Sequence, residues 1–427
     1  MEEIVLRHIQ KLGNTISYEY CVSDGLKQFF SGKSFSVEYP ERIEDVPDAI
    51  AAIPFVGNVL PIIWVTDSVL KVEKLDKAFY QCIDAVRGGF ETMFPESTFA
   101  GRIEAAEIVG CDHPSEGKSA ALFSGGLDAV NTLVSHLDEN PVLISIWGAD
   151  IRSDNAEGWE IVHSGIAAYS RKFQLPDVVI RSTFREFDRE DILEQHFKKQ
   201  LKDGWWHGLK HGIGLLSHTA PYVYLKGIEK VYIASSNCKE DGHIRCSSNP
   251  LTDNHIRFAH AQVIHDGFEF SRQDKVRNVV NFVQRSGIQL PLRVCWETQS
   301  GGNCCRCEKC YRTMVGLIAE DADPVDYGFE DSSDAIRDLQ SFLVQYYKYD
   351  NVLQRHWLHV QKSIVRNQKK LKTRPEWKYI RWLAKADLSR PEKLQRPLYN
   401  RLGEGLERAV PALYPILRAV KRKIFKT

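Results

Sequence analysis

The stretch Lys118 to Val130, KSAALFSGGLDAV, decides how the rest of the chain is read. An apolar run, Ala120 to Phe123, breaks into Ser124-Gly125-Gly126-Leu127-Asp128, and a 3.6-residue periodicity then begins at Leu127, Val130, Leu133, Val134 and Leu137. That pattern predicts strand, tight loop and helix. Two adjacent glycines let the backbone turn so that amide N–H groups and a helix N-terminus converge where an anion can sit. Ser124 adds a hydroxyl donor, and Asp128 a carboxylate suited to Mg²⁺ or a pyrophosphate-bound metal.

Working outward, the chain after Ser119 alternates short apolar strands with helices. Strands are expected at Val142 to Trp147, Val178 to Thr183, Val231 to Ala234 and Leu290 to Val294. Helices are expected over roughly 157–172, 213–226 and 270–283, the last carrying Lys275. Such alternation predicts an α/β fold with a parallel, doubly wound sheet and helices on both faces. Ligands of such sheets lie beyond the carboxyl ends of the strands, which puts Ser124 to Asp128, Trp147 to Asp150 and Ser235 to Asn237 on one rim. The segment 234–257, ASSNCKEDGHIRCSSNPLTDNHIR, reads as a long substrate-facing loop, with Ser236, Asn237 and Asp253 as its binding candidates.

Cys295, Cys304, Cys307 and Cys310 form Cys-x8-Cys-x2-Cys-x2-Cys, with Gly301, Gly302 and Asn303 letting the chain fold back. Short Cys-x2-Cys turns supply thiolate pairs with the bite that tetrahedral zinc needs, and four thiolates leave no open position, so a structural zinc is expected. Cys305 is an extra thiol; Cys21, Cys82 and Cys111 are scattered and expected to be packed.

Residues 1–113 read as a strand-rich accessory domain with one helix over 75–90, followed by a linker, 112–118. Ala49 to Val65 is apolar but broken by Pro54, Gly57, Asn58 and Pro61, which predicts buried strands and turns, with a strand at Ile62 to Val65. It falls short of the ~20 residues of a spanning helix. Residues 330–427 are expected to be helical, with an amphipathic end at Leu402 to Lys426. The formal net charge is zero but unevenly spread: residues 361–427 hold 19 Lys and Arg against 5 Asp and Glu, a net +14, leaving 37 against 51, a net −14, elsewhere. The basic end fits a membrane surface, nucleic acid or a partner. MEEIVLRH has no basic-then-apolar leader pattern, and ten cysteines without a secretory context point to metal or catalysis, so a cytoplasmic protein is expected.

Two motifs together carry a resemblance. SGGLD after a strand resembles the PP-loop of the N-type ATP pyrophosphatases, and the four-cysteine cluster followed by Arg312 resembles the zinc site of the QueC-like 7-cyano-7-deazaguanine synthase family. Trp147-Gly148 stands where that family has Tyr-Gly, Ile233 to Asn237 where it has a strand entering an Asn-containing loop, and Lys275 where a Lys opens the helix before the cysteines. The likeness covers roughly residues 118–320, with additions at both ends that resemble the anti-phage defence branch (QatC-like). Ala129 stands where the PP-loop usually has Ser or Thr, the Gln-Arg-His run after Tyr-Gly is missing, and Cys305 replaces a Gly between zinc ligands.

The resemblance implies a Rossmann-like PP-loop domain over 118–320 with ATP, Mg²⁺ and Zn²⁺. ATP would be held by Ser124, Gly125, Gly126, Leu127, Asp128, Trp147 and Gly148, with Asp128 and Lys275 serving catalysis. It implies adenylation of a 7-carboxy-7-deazaguanine-type carboxylate and transfer to an amine, either of a partner protein or of ammonia on the way to a free nitrile. The remaining reading is an inactive scaffold binding a partner or nucleic acid.

Overall fold

The computed structural model describes residues 2–111, 115–330, 336–345 and 351–388. Eleven strands form one sheet: β1 (Glu3–Leu12), β2 (Thr15–Val22), β3 (Phe35–Glu38), β4 (Val69–Asp76), β5 (Arg102–Val109), β6 (Lys118–Leu122), β7 (Val142–Trp147), β8 (Asp177–Ser182), β9 (Ile228–Ala234), β10 (Arg257–Phe258) and β11 (Ala261–Asp266). Their spatial order is β10-β11-β9-β6-β7-β8-β3-β2-β1-β4-β5.

The sheet is mostly parallel, and its directions divide it. β11, β9, β6, β7 and β8 all run the same way. β3 is antiparallel to β8, β2 to β3 and β1 to β2, and then β4 and β5 run parallel to β1, so a second parallel block points the opposite way. β6 reads as a near-continuous run of small residues because it is flanked on both sides, and Ser119, Ala120 and Ala121 are all buried. Ala120 pairs with Val142 on one side and Val231 on the other.

Across the sheet the five same-direction strands lie in the order β11, β9, β6, β7, β8, so β6, the first of them in the chain, is the central one. The chain therefore leaves β6 toward β7 and β8, then returns to build β9 and β11 on its other side. The carboxyl ends of β6 and β9 flank this reversal, the place where open α/β sheets leave a crevice for ligands.

Residues 1–113, expected as a separate accessory domain, supply five strands of this same sheet. β3 pairs with β8 through Val37 and Ser182, and one hydrophobic core runs from Ile4, Phe35 and Phe55 through Phe187 to Ile233 and Val263. Phe35 stacks on Phe187 at 4.7 Å. The Ala49 to Val65 stretch is a correction: it is helical, over Asp48–Ala51 and Ile53–Thr66, and Ile62 to Val65 form the last turn of the second helix. Pro54 lies in its first turn, where a missing N–H costs nothing. Gly57 is there for closeness, since a Cβ would come within 2.5 Å of the Cβ of Ser217 on the neighbouring helix His211–Ser217. The helix is buried all round, as its uniformly apolar sequence demands.

The expected helix over 213–226 is two helices, His211–Ser217 and Ala220–Leu225, split ahead of Pro221. Leu290 to Val294 joins no sheet; the N–H groups of Leu292 and Arg293 go to the carbonyls of Tyr327 and Gly125. The long 234–257 loop holds a 3-10 turn, Lys239–Asp241, and a helical turn, Pro250–Asp253.

The chain divides into two compact units, 1–310 with 326–328, and 311–325 with 329–427. In the second, the helix Asn351–Arg366 buries Trp357, Val360 and Ile364, and Arg366 pairs with Glu320 at 2.8 Å. The basic stretch Leu402 to Lys426 lies outside the described residues. Among the described residues no helix is long and apolar enough to cross a membrane.

Candidate functional site

β6 ends at Leu122, and Ser124 to Gly126 turn the chain into the helix Leu127–Ser135. Gly125 sits at φ +71°, the left-handed region that side chains disfavour. Gly126 is the N-cap and donates to the Ser124 hydroxyl at 3.3 Å; a Cβ there would press on that oxygen at 3.2 Å. Ser124 itself is exposed. Glycines here keep the loop narrow beside a helix N-terminus, an arrangement suited to an oxyanion.

Asp128, in the first turn of that helix, is only 13% exposed and is met by the helix Arg272–Ser286 that follows β11. Arg272 donates from Nη1 to Asp128 Oδ2 at 2.7 Å, and Lys275 Nζ lies 3.6 Å from Oδ1. Burial on its own would raise Asp128, but the charges of Arg272, Lys275 and Lys309 outweigh it and hold the carboxyl down to about 2. Lys275 is 1% exposed and also donates to the carbonyl of Ser235 at the end of β9. Burial draws it below its ordinary value, against the pull of Asp128. The helix start is fixed by a capping box: Asp274 N–H donates to Ser271 Oγ at 3.2 Å and Ser271 N–H to Asp274 Oδ2 at 3.1 Å.

One carboxylate thus faces two cations plus a helix N-terminus, a local excess of positive charge beside a glycine loop. A phosphate or pyrophosphate would complete that balance. Asp128 Oδ1 is buried with no hydrogen-bond partner, which leaves a lone pair for a divalent cation. Both features fit ATP with Mg²⁺. Of the expected residues, the structure brings Ser124 to Asp128, Lys275 and the start of the 235–237 loop together. Ser236 is exposed and Asn237 half-buried there, with Ser235 Oγ donating to the Asn237 carbonyl at 2.7 Å.

Trp147 and Gly148 end the neighbouring strand. The Trp147 indole stacks with Trp159 at 5.4 Å and packs against the Arg181 guanidinium at 4.5 Å. Gly148, at φ +118°, is required because a Cβ would fall 2.0 Å from the Ser182 carbonyl oxygen. Asp253, expected on the substrate loop, is fully buried; its Oδ2 accepts from Ser248 at 2.7 Å and meets His265 Nδ1 at 2.8 Å. It ties the loop to β11.

The four cysteines converge as expected. One sulfur from each of Cys295, Cys304, Cys307 and Cys310 lies within 4.8 Å of the others, and Cys304 and Cys310 are 3.9 Å apart. A tetrahedron with Zn–S of about 2.3 Å has sulfurs roughly 3.8 Å apart, so the cluster can hold zinc. Sulfurs this close cannot all ionise unaided: hydrogen bonds from Cys307 and Cys310 pull Cys304 down, while Cys304 pushes both of them up. A divalent cation removes that conflict. Asn303 locks the approach, its Oδ1 accepting from Val294 N–H at 2.9 Å and Cys295 N–H at 3.3 Å. Cys305 adopts φ +53°, in the left-handed region that favours glycine.

Two residues were not singled out from sequence. Arg272 lies one turn before Lys275, and i, i+3 spacing at a helix start is a signal for both. Arg293 had no such signal: its N–H donates to Gly125 O at 2.8 Å, its Nε to Gly301 O at 3.1 Å, and its Nη1 lies 3.4 Å from Asp150. No protein-family model, curated protein or solved structure matches the chain.

Proposed function

We propose that this chain is an ATP-dependent, adenylate-forming C–N ligase of the PP-loop ATP pyrophosphatase type. Its substrate is a 7-carboxy-7-deazaguanine-type carboxylate, and the acceptor is an amine of a partner protein. The observation that carries the reading is the meeting of Asp128 with Arg272 and Lys275 beside the Ser124–Gly126 loop, at the reversal of strand order between β6 and β9.

The Ser124 hydroxyl and the backbone N–H groups at the start of the Leu127–Ser135 helix receive the β- and γ-phosphates. Mg²⁺, when bound, supplies charge neutralisation on the pyrophosphate. Arg272 and Lys275 then share their charge between Asp128 and the phosphates, so negative charge developing on the departing pyrophosphate meets donors already in place. Lys275, anchored on the Ser235 carbonyl, couples this to the loop holding Ser236 and Asn237, which would receive the substrate carboxylate. The acyl-adenylate so formed loses AMP when the amine attacks. The cysteine cluster has no open position and supports the loop through Arg293.

The product distinguishes this from release of a free nitrile. Mass spectrometry after incubation with ATP, Mg²⁺ and 7-carboxy-7-deazaguanine should show an amide-linked adduct on a co-purified or co-expressed protein. Accumulation of 7-cyano-7-deazaguanine with no protein adduct would replace this acceptor with ammonia.

A further inference from the structure

The second compact unit, 311–325 with 329–427, holds a cationic groove that the chemistry above does not use. Its helix Asn351–Arg366 turns Trp357, Val360 and Ile364 into the unit's core, so Lys362, Val365 and Arg366 face outward by the helical period. The short turn Leu383–Lys385 lies across from them. Leu383 is fully buried, and Gln361 pins the turn by donating from Nε2 to the carbonyls of Leu383 at 2.6 Å and Ala386 at 2.7 Å. Between the two elements is a groove of about 510 Å³, lined by Gln361, Lys362, Val365 and Arg366 on one wall and by Ala384, Lys385 and Ala386 on the other.

Positive charge accumulates here with little to balance it. Residues 351–388 carry ten Lys and Arg against two Asp and Glu. Arg366 is met by Glu320 at 2.8 Å, and Arg374 by Glu376 at 3.2 Å. Among the described residues no carboxylate pairs with Lys362, Lys369, Lys370, Lys372, Arg381 or Lys385, and all six are exposed. The sequence continues in the same sense, since residues 389–427 add ten Lys and Arg against three Asp and Glu. Cations left unpaired in this density raise the local potential and gather a polyanion.

We propose that this groove binds the phosphate backbone of double-stranded nucleic acid. Five of the six unpaired cations are lysines, which meet phosphate as point charges, whereas the carboxylates of an acidic protein are best matched by the bidentate fork of arginine. The lining holds no aromatic ring on which an unpaired base could stack, so the backbone of a duplex fits better than a single strand. A membrane surface calls for an apolar wedge beside the basic face, and Val365 alone of the lining residues is a large exposed apolar side chain. Contacts of this kind carry no base readout, so the affinity is independent of sequence. The proposal uses no residue of the adenylation reading and stands or falls apart from it.

Binding through phosphates has a signature in salt. Each phosphate neutralised by a lysine releases a condensed counterion, so about five contacts give a slope of about −4.5 for log affinity against log salt. The full chain is titrated into a short fluorescein-labelled duplex of mixed sequence, DNA in one arm and RNA in another, and anisotropy is read. Both duplexes should bind saturably, and affinity should fall by roughly several hundredfold from about 50 to about 200 mM salt. Lys362→Ala combined with Lys385→Ala should weaken binding roughly tenfold and flatten the slope by about 2. Lys198→Ala combined with Lys199→Ala, on the helix Glu190–Leu201 of the first unit, should change neither.

A footprint on the wild-type chain removes any dependence on variant folding. Lysines are acetylated with and without duplex and located by mass spectrometry, and Lys362 and Lys385 should be protected by the duplex. Four results overturn the proposal: no binding of either duplex at low salt, equal acetylation of the two lysines with and without duplex, an unchanged slope in the Lys362 and Lys385 variant, or binding of poly-glutamate or phosphatidylserine vesicles as tight as that of the duplex.

Discussion

The backbone N–H of Arg293 donates to the carbonyl oxygen of Gly125 at 2.8 Å, two residues ahead of the first zinc-ligand candidate, Cys295. Through this bond the cysteine segment braces the Ser124–Gly126 loop. One zinc per chain is expected by metal analysis, and Cys307→Ser should destabilise the chain on the order of several kcal/mol. Hydrogen exchange at Gly125 and Gly126 should rise in the same variant. Metal loss with unchanged exchange at the loop would separate the two sites.

Cys305 gives a sharper probe of that cluster. At φ +53° a non-glycine residue carries left-handed strain of about 1–2 kcal/mol, offset in part by the greater unfolded-state freedom of glycine. Cys305→Gly should retain zinc and be neutral to about 1 kcal/mol more stable by thermal unfolding. Loss of zinc in this variant would make Cys305 a ligand.

Gly125→Ala tests the loop by conformation alone. The added methyl has room, with Arg293 Cβ at 3.9 Å, but φ +71° is disfavoured for alanine by about 1–2 kcal/mol. The variant should fold, bind zinc and lose ATP affinity by tenfold or more, measured by calorimetric titration. Unaltered affinity would move the nucleotide away from this loop.

The strand-loop-helix at Lys118 to Val130, the β6 to β9 alternation and the cysteine cluster were all legible, because each is local: a run, a turn, a spacing. What the sequence hid is what depends on partners far along the chain. Ala49 to Val65 looked like strands because Pro54, Gly57 and Pro61 read as breaks, yet Gly57 serves close packing against Ser217. Residues 1–113 looked separable because nothing in them announces that β3 will pair with β8. At the site, Lys275 was legible and Arg293 was not, since its role lies in a backbone bond that any residue can make.

That shared sheet has a consequence for truncation. Removing residues 1–113 would strip β3 from β8 and expose Phe187, which stacks on Phe35 and packs against Phe30. The shortened chain should be insoluble or molten, with loss of cooperative unfolding. A soluble, cooperatively folding 114–427 fragment would show that the core closes without β1 to β5.

Asp128 links the site to acid stability. Its carboxyl is held near 2 in the folded chain, below the ordinary value of 3.8, so it stabilises the fold fully above the ordinary value. That contribution, about 2 kcal/mol, is lost as pH falls through 2. Unfolding midpoints between pH 5 and 2 should therefore decline more steeply in the wild type than in Asp128→Asn. The variant should be the less stable at pH 6, where Arg272 and Lys275 lose their counter-charge. Parallel profiles would place Asp128 outside the ion cluster.

The central claim is that Asp128, Arg272 and Lys275 hold ATP for cleavage between its α- and β-phosphates. The direct measurement is the nucleotide product formed from ATP and Mg²⁺ with 7-carboxy-7-deazaguanine, resolved by chromatography for wild type and Asp128→Ala. AMP and pyrophosphate should form in equal amounts with the wild type, and at least a hundredfold less of each with the variant. ADP and orthophosphate, or equal AMP release from both proteins, would contradict it.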